Sequence, residues 1–312
     1  MTVSVFVNFG DPARAEALAA LPVDGAGPCP IETILREGIG VHPMALLHPE
    51  RVADAATLAR LEERAAGFAS RTHLFVEGLA SGMAAFARPF APRPVVVRLS
   101  DFSTAEWGAL EGGAGFEPVE RNPLVGFRGA VRYVHPHYAE AFALECAAVA
   151  RARGALGCAN LIPMVPYCRR VAEAEAVLAA MAAHGLERGR DGLRIYLMAE
   201  VPSNVFAIDA FAALFDGVSI GSRDLAQLVL GIDGEAAFAD DVQLDETDPA
   251  FLAAVSEIVA GARRQRVHVS ICGAGPSRHP ALVEHVVRCG IDAVSLRPDA
   301  VATMVPRIRG AE

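Results

Sequence analysis

LRIYLMAE, residues 193–200, is an unbroken apolar run that ends on a carboxylate. GVSIGS, residues 217–222, has the same form, and Arg223 and Asp224 come directly after it. Continuous apolar runs of this length suit strands covered on both faces, as in a parallel sheet flanked by helices. The form recurs in VSVFVNF (3–9), PVVVRLS (94–100), NLIPMVP (160–166), VHVSICG (267–273) and DAVSLRP (292–298). Between these runs lie stretches such as HYAEAFALECAAVARARGAL (137–156) and PAFLAAVSEIVAGARRQR (249–266), with apolar residues three and four apart. That spacing predicts helices.

Strand–helix alternation along 312 residues, without a linker or composition break, predicts an α/β single domain over 1–312. A (β/α)8 barrel fits better than a doubly wound sheet, whose Gly-x-Gly-x-x-Gly turn is missing. VADAATLARLEERAAGFASRT and EGLASGMAAFARPF, before Val95, read as helices packed outside the sheet. EGGAGF at 111–116 comes after a helix-like stretch, a poor context for a phosphate loop.

The formal charge is −9 and no lysine- or arginine-rich block occurs, which argues against nucleic acid or an anionic membrane as partner. No apolar run reaches the ~20 residues of a membrane span. MTVSVFVNFGDP reads as a strand and turn rather than a leader, so a cytoplasmic protein is expected. The six cysteines are scattered, without C-x-x-C pairs or zinc-ligand spacing.

The chemistry is concentrated where the strands end. Arg98, Glu200, Asp224, Cys272 and Arg297 stand at or just beyond five predicted strand ends. In a parallel barrel such ends converge on one mouth. Two carboxylates offer hard oxygens to magnesium, and arginines offer planar forks to carboxylate or phosphate. A thiol can give or take a proton. Together they suit a small anionic oxo-acid that passes through an enolate.

Ordered blocks along nearly the whole chain sharpen this reading. They include NFGDP (8–12), GIGVHPMALL (38–47), RPVVVRLSDFSTAEW (93–107), FEPVERNPLVGFRGAVRY (116–133), LIPMVPYCR (161–169), FDGVSIGSRDLAQLVLGID (215–233), SICGAGPS (270–277) and GIDAVSLRPDAV (290–301). In these blocks the chain resembles the C-terminal phosphoenolpyruvate (PEP)/pyruvate-binding barrel of the phosphoenolpyruvate synthases, related to pyruvate phosphate dikinase and to Enzyme I of the sugar phosphotransferase system. The resemblance implies that Arg98 and Arg128 grip substrate carboxylate and phosphate. It implies that Glu200 and Asp224 hold Mg2+, and that Cys272 exchanges a proton with the enolate methyl carbon. Arg132 is expected to support its loop rather than touch ligand.

The same resemblance exposes departures. Pro30 and Gly234 stand where arginines are expected, Ala274 replaces a glutamine, and Arg223 replaces the asparagine before Asp224. Arg223 either grips phosphate, pairs with Asp224 or Glu200 and weakens Mg2+ binding, or turns to solvent. No histidine sits in the Thr-x-His context of the phosphohistidine carrier, so a separate phosphohistidine or nucleotide-binding protein is expected as partner, and by analogy a homodimer. The implied activity is phosphoryl exchange between that partner and pyruvate. The alternatives are a carbon–carbon lyase or aldolase acting on a non-phosphorylated 2-oxo acid, or a non-catalytic subunit with a decayed site.

Overall fold

A computed structural model describes residues 2–233 and 244–312; Gly234 lies outside the described residues. Eight parallel strands close into a ring in sequence order: β1 (Ser4–Val7), β2 (Gly25–Pro30), β3 (Val95–Arg98), β4 (Leu161–Val165), β5 (Tyr196–Ala199), β6 (Gly217–Gly221), β7 (His268–Cys272) and β8 (Ala293–Leu296). The fold is a (β/α)8 barrel, as expected. β1 completes the ring by pairing with β8 from Ser4↔Ala293 to Val7↔Leu296.

Alternation along the strands sorts side chains into two cores. Phe6, Val96, Ile162, Met164, Tyr196, Met198 and Cys272 fill the barrel interior. Their neighbours, such as Val5, Val7, Val95, Val97, Leu197 and Ile271, face the surrounding helices in one large outer core. Helices such as Ala139–Arg153 and Pro249–Arg264 coincide with the predicted periodic stretches. Asp248 caps the second of these, its side chain accepting from Ala250 N, with Pro249 placed where no amide donor is needed.

Seven predicted strands are present and one strand was not foreseen. β2 reads GAGPCP, a composition that signals a turn. Its prolines lack amide donors, and the β2–β3 ladder slips between Ala26 and Cys29 to accommodate them. Gly27 is required there: a Cβ would fall 2.5 Å from the Val96 carbonyl oxygen. EGGAGF is a packing segment rather than a phosphate loop: Glu111 pairs with Arg60 and Arg64, and Gly112 backs onto Ala45.

The last helix, Val301–Ala311, returns to the start of β1. Val3 N donates to Glu312 Oε1 at 2.7 Å, and Arg309 Nη1 donates to Val3 O at 2.7 Å. No helix among the described residues is long and apolar enough to cross a membrane.

Candidate active site

Strand direction decides where the reactive groups meet. At the C-terminal mouth of the barrel a cleft of about 390 Å³ is lined by Arg98, Glu200, Arg223, Asp224, Cys272 and Arg297. These six come from β3, β5, β6, β7 and β8 or the residues just beyond them. The β1 and β2 side of the same cleft is built from Asn8, Phe9, Gly10, Pro28 and Pro30, and carries no charged side chain. A second cleft of about 350 Å³ adjoins it, sharing Arg98, Arg223 and Asp224 and adding Glu32, Asp101 and Arg128.

Glu200 stands just after β5 and is almost fully buried. Its Oε1 accepts from Tyr167 N at 2.7 Å. Its own backbone turn is held by Asn204, whose side-chain oxygen accepts from Glu200 N and Val201 N at 3.1 and 3.2 Å. Gly221 leaves room for this carboxylate, since a Cβ there would fall 2.8 Å from Oε2. Burial, then the nearby Asp224 and Asp101 carboxylates, push Glu200 well above the usual carboxylate range.

Asp101 is the group that the sequence reading missed. One oxygen from each of Asp101, Glu200 and Asp224 lies within 4.8 Å of the others. The signal was available in VVVRLSD, where a carboxylate comes after the β3 end as Glu200 and Asp224 come after theirs. Three carboxylates at this spacing match the hard oxygen donors that magnesium takes, and their crowding favours a shared cation.

Arg128 does not line the main cleft. Its Nε and Nη2 fork on Asp101 at 3.0 and 2.6 Å, and Nη2 also donates to Asp224 Oδ2 at 3.1 Å. The guanidinium lies over the Tyr167 ring, 4.1 Å from its centroid. Burial opposes its charge, but Asp101, Asp224 and Glu200 outweigh that and hold it firmly cationic. Arg223 is exposed at the start of the helix Ser222–Leu230 and lines both clefts. Arg132 is fully buried and forks on Glu117 at 2.7 and 2.5 Å, a supporting pair for the loop that carries Arg128.

Arg98 reaches from β3 to Glu32, with Nη2 2.8 Å from Oε1. The same oxygen accepts from Asp101 N at 3.0 Å, so Glu32 ties the arginine to the acidic cluster. Arg98 Nε and Glu32 Oε2 are buried with no hydrogen-bond partner among the described residues. Behind them Ser100 is fixed from below. Its hydroxyl donates to Glu145 Oε1 at 2.7 Å, and its carbonyl accepts from Tyr133 OH at 2.6 Å. Cys272 ends β7 in the barrel interior, its thiol directed at the Ile220 carbonyl oxygen at 3.3 Å. Burial pushes that thiol up to about 12, so it is protonated at neutral pH.

The whole chain, residues 1–312, matches the family described as "PEP-utilising enzyme, PEP-binding domain". Phosphoenolpyruvate synthase of Deinococcus radiodurans is 44% identical over 311 residues, 99% of this chain and 40% of that protein. The Escherichia coli phosphoenolpyruvate synthase is 41% identical over 301 residues, 96% of this chain and 38% of that protein. The chain therefore spans about 40% of the length of the curated relatives it matches. Among solved structures, an HpcH/Hpal aldolase/citrate lyase family protein from Burkholderia cenocepacia aligns with a TM-score of 0.52 at 14% identity, over 99% of this chain and 93% of that chain, a likeness of fold.

Proposed function

The chain belongs to the PEP-binding domain family of the PEP-utilising enzymes, and on that premise we propose that its mouth binds PEP or pyruvate and exchanges a phosphoryl group with a phosphohistidine on a separate protein. One observation carries this reading: a single cleft gathers Arg98, Glu200, Asp224 and Cys272, with the thiol facing the barrel interior rather than the outer core.

In the direction of pyruvate formation, the phosphorus–oxygen bond of PEP breaks and a phosphorus–nitrogen bond to the partner's histidine forms. The electron pair remains on the enolate oxygen. Arg98 supplies fixed positive charge on the side of the substrate's anionic groups, held in place by Glu32. Cys272 then gives its proton to the enolate methylene carbon, leaving pyruvate and a thiolate. A thiol held up to about 12 is armed for that donation without a prior proton transfer. Glu200 and Asp224, with Asp101 beside them, would hold Mg2+, and Arg128 shares the outer carboxylate oxygens. When bound, the metal supplies Lewis-acid stabilisation of the enolate oxygen.

The test is methyl-proton exchange. Pyruvate incubated with the chain and Mg2+ in deuterated water should lose its methyl proton signal at a rate that rises with pH, because this reverse step starts from the Cys272 thiolate, and the Cys272→Ala variant should not support that loss. No exchange with the unaltered chain overturns the reading. Pro30 in the cleft wall favours a second reading, a carbon–carbon lyase on a non-phosphorylated 2-oxo acid. Thermal stabilisation by oxalate or pyruvate but not by PEP would select it. The six cysteines, none in a disulfide, suit the reducing cytoplasm, and the family analogy supports a homodimer.

A further inference from the structure

Around the mouth the side chains fall in a fixed order. β1 and β2 contribute Phe9 and Pro30, β3 contributes Arg98, β5 and β6 the carboxylates, β7 the thiol and β8 Arg297. Arg98 and Arg297 are thus two cations separated by the uncharged β1–β2 wall, and Arg297 stands next to Cys272 in the ring. A substrate carbon presented to the Cys272 thiol shares its cleft with both arginines.

The two are held differently. Arg98 is committed to Glu32 in a part-buried pair. Arg297 has its backbone fixed, N donating at 2.8 Å to Oγ of Ser277 in the short helix Gly275–Arg278 after β7. Its guanidinium reaches Asp299 at 3.3 Å, with both side chains about half exposed or more. A surface pair of that kind contributes little and yields readily to a ligand anion. Arg297 also lines an adjoining cavity of about 240 Å³ with Ser277, Arg278, Thr303 and its own partner Asp299. The loops after strands 7 and 8 are where (β/α)8 barrels frequently bind phosphate.

We propose that Arg297 recognises the second anionic group of the substrate, phosphate or carboxylate, from the β7–β8 side of the mouth. This rests on the reading that the cleft takes a 2-oxo acid or its enol phosphate. It makes Arg297 a specificity-determining residue, selecting ligands with two separated anionic groups over simple monocarboxylates.

The experiment is calorimetric titration of the full chain with Mg2+ against oxalate, pyruvate, PEP and 2-oxosuccinate, repeated with Arg297→Gln and Arg297→Lys. Arg297→Gln should weaken PEP, 2-oxosuccinate or both by about ten- to a hundredfold, the loss of one charge-assisted contact. Pyruvate and oxalate should change by less than about twofold, and Arg297→Lys should recover part of the loss. Loss confined to PEP identifies phosphate as the group. Loss confined to 2-oxosuccinate identifies a second carboxylate and counts against phosphoryl chemistry while sustaining the role of Arg297. Unchanged PEP and 2-oxosuccinate binding, or an equal loss for all four ligands, overturns the proposal and leaves the PEP/pyruvate reading standing. If the unaltered chain binds none of the four, both fall.

Discussion

Gly273 and Ser222 are in contact at the mouth, so close that a Cβ built on Gly273 would fall 2.3 Å from the serine hydroxyl oxygen. Gly273 has φ +107°, a conformation that side chains rarely adopt, and Ser222 is fully buried. The pair joins the ends of β6 and β7 directly behind Cys272. Gly273→Ala should therefore cost about 2–3 kcal/mol in urea unfolding and displace the thiol, slowing pyruvate methyl exchange. Gly231→Ala, at φ +67° but with nothing within 4 Å of the added carbon among the described residues, should cost only about 1 kcal/mol. Equal costs for the two would show that space around Gly273 is not limiting.

Arg128 is the counter-charge of the acidic cluster. Arg128→Met leaves Asp101 and Asp224 without their guanidinium and should destabilise the fold by about 3–5 kcal/mol. Because the carboxylates then lose the guanidinium that bridges Asp101 and Asp224, millimolar Mg2+ should raise the melting temperature of the variant more than that of the unaltered chain. An equal metal response in both would place the ion elsewhere.

Glu145 gives a pH prediction. Burial is the main cause that pushes this carboxyl up to about 7, against the hydrogen bonds from Ser100 and Tyr138. Between its ordinary range near 4.5 and about 7, the folded chain binds more protons at this site than the unfolded one. Its contribution is therefore greatest below that window and is lost as pH rises through it, by roughly 2–4 kcal/mol. Unfolding free energies measured from pH 4.5 to 7.5 should show this decline, and Glu145→Gln should flatten it.

Thiol chemistry should separate the cysteines. Cys272 is buried and its thiol lies near 12, whereas Cys289 is half-buried beside His285 and Ser256. Iodoacetamide at pH 7.5 should label Cys289 and leave Cys272 intact by peptide mass spectrometry. Rapid labelling of Cys272 would contradict a protonated proton donor.

The barrel was legible because its strands announce themselves by unbroken apolar runs, and each strand-end group could be assigned to the mouth from order alone. β2 escaped because Gly25, Gly27, Pro28 and Pro30 carry every local mark of a turn; it is a strand because β1 and β3 flank it in the ring. Asp101 and Glu32 lay in plain view, but nothing in the chain distinguishes a carboxylate that shares a cation from one that meets solvent. Arg128 was foreseen as a substrate ligand from the family resemblance, and its fork on Asp101 depends on how a long loop folds back, which no periodicity encodes. For Arg223 the sequence left gripping phosphate, pairing with Asp224 or Glu200, and turning to solvent open. The guanidinium that reaches Asp224 at 3.1 Å belongs to Arg128, and Arg223 stands between the two clefts.

The bonds between Val3, Arg309 and Glu312 clasp the last helix to the strand that closes the ring, on the barrel floor, opposite the chemistry. Opening this clasp with Arg309→Ala should therefore loosen the floor while the pocket keeps its ligand affinity.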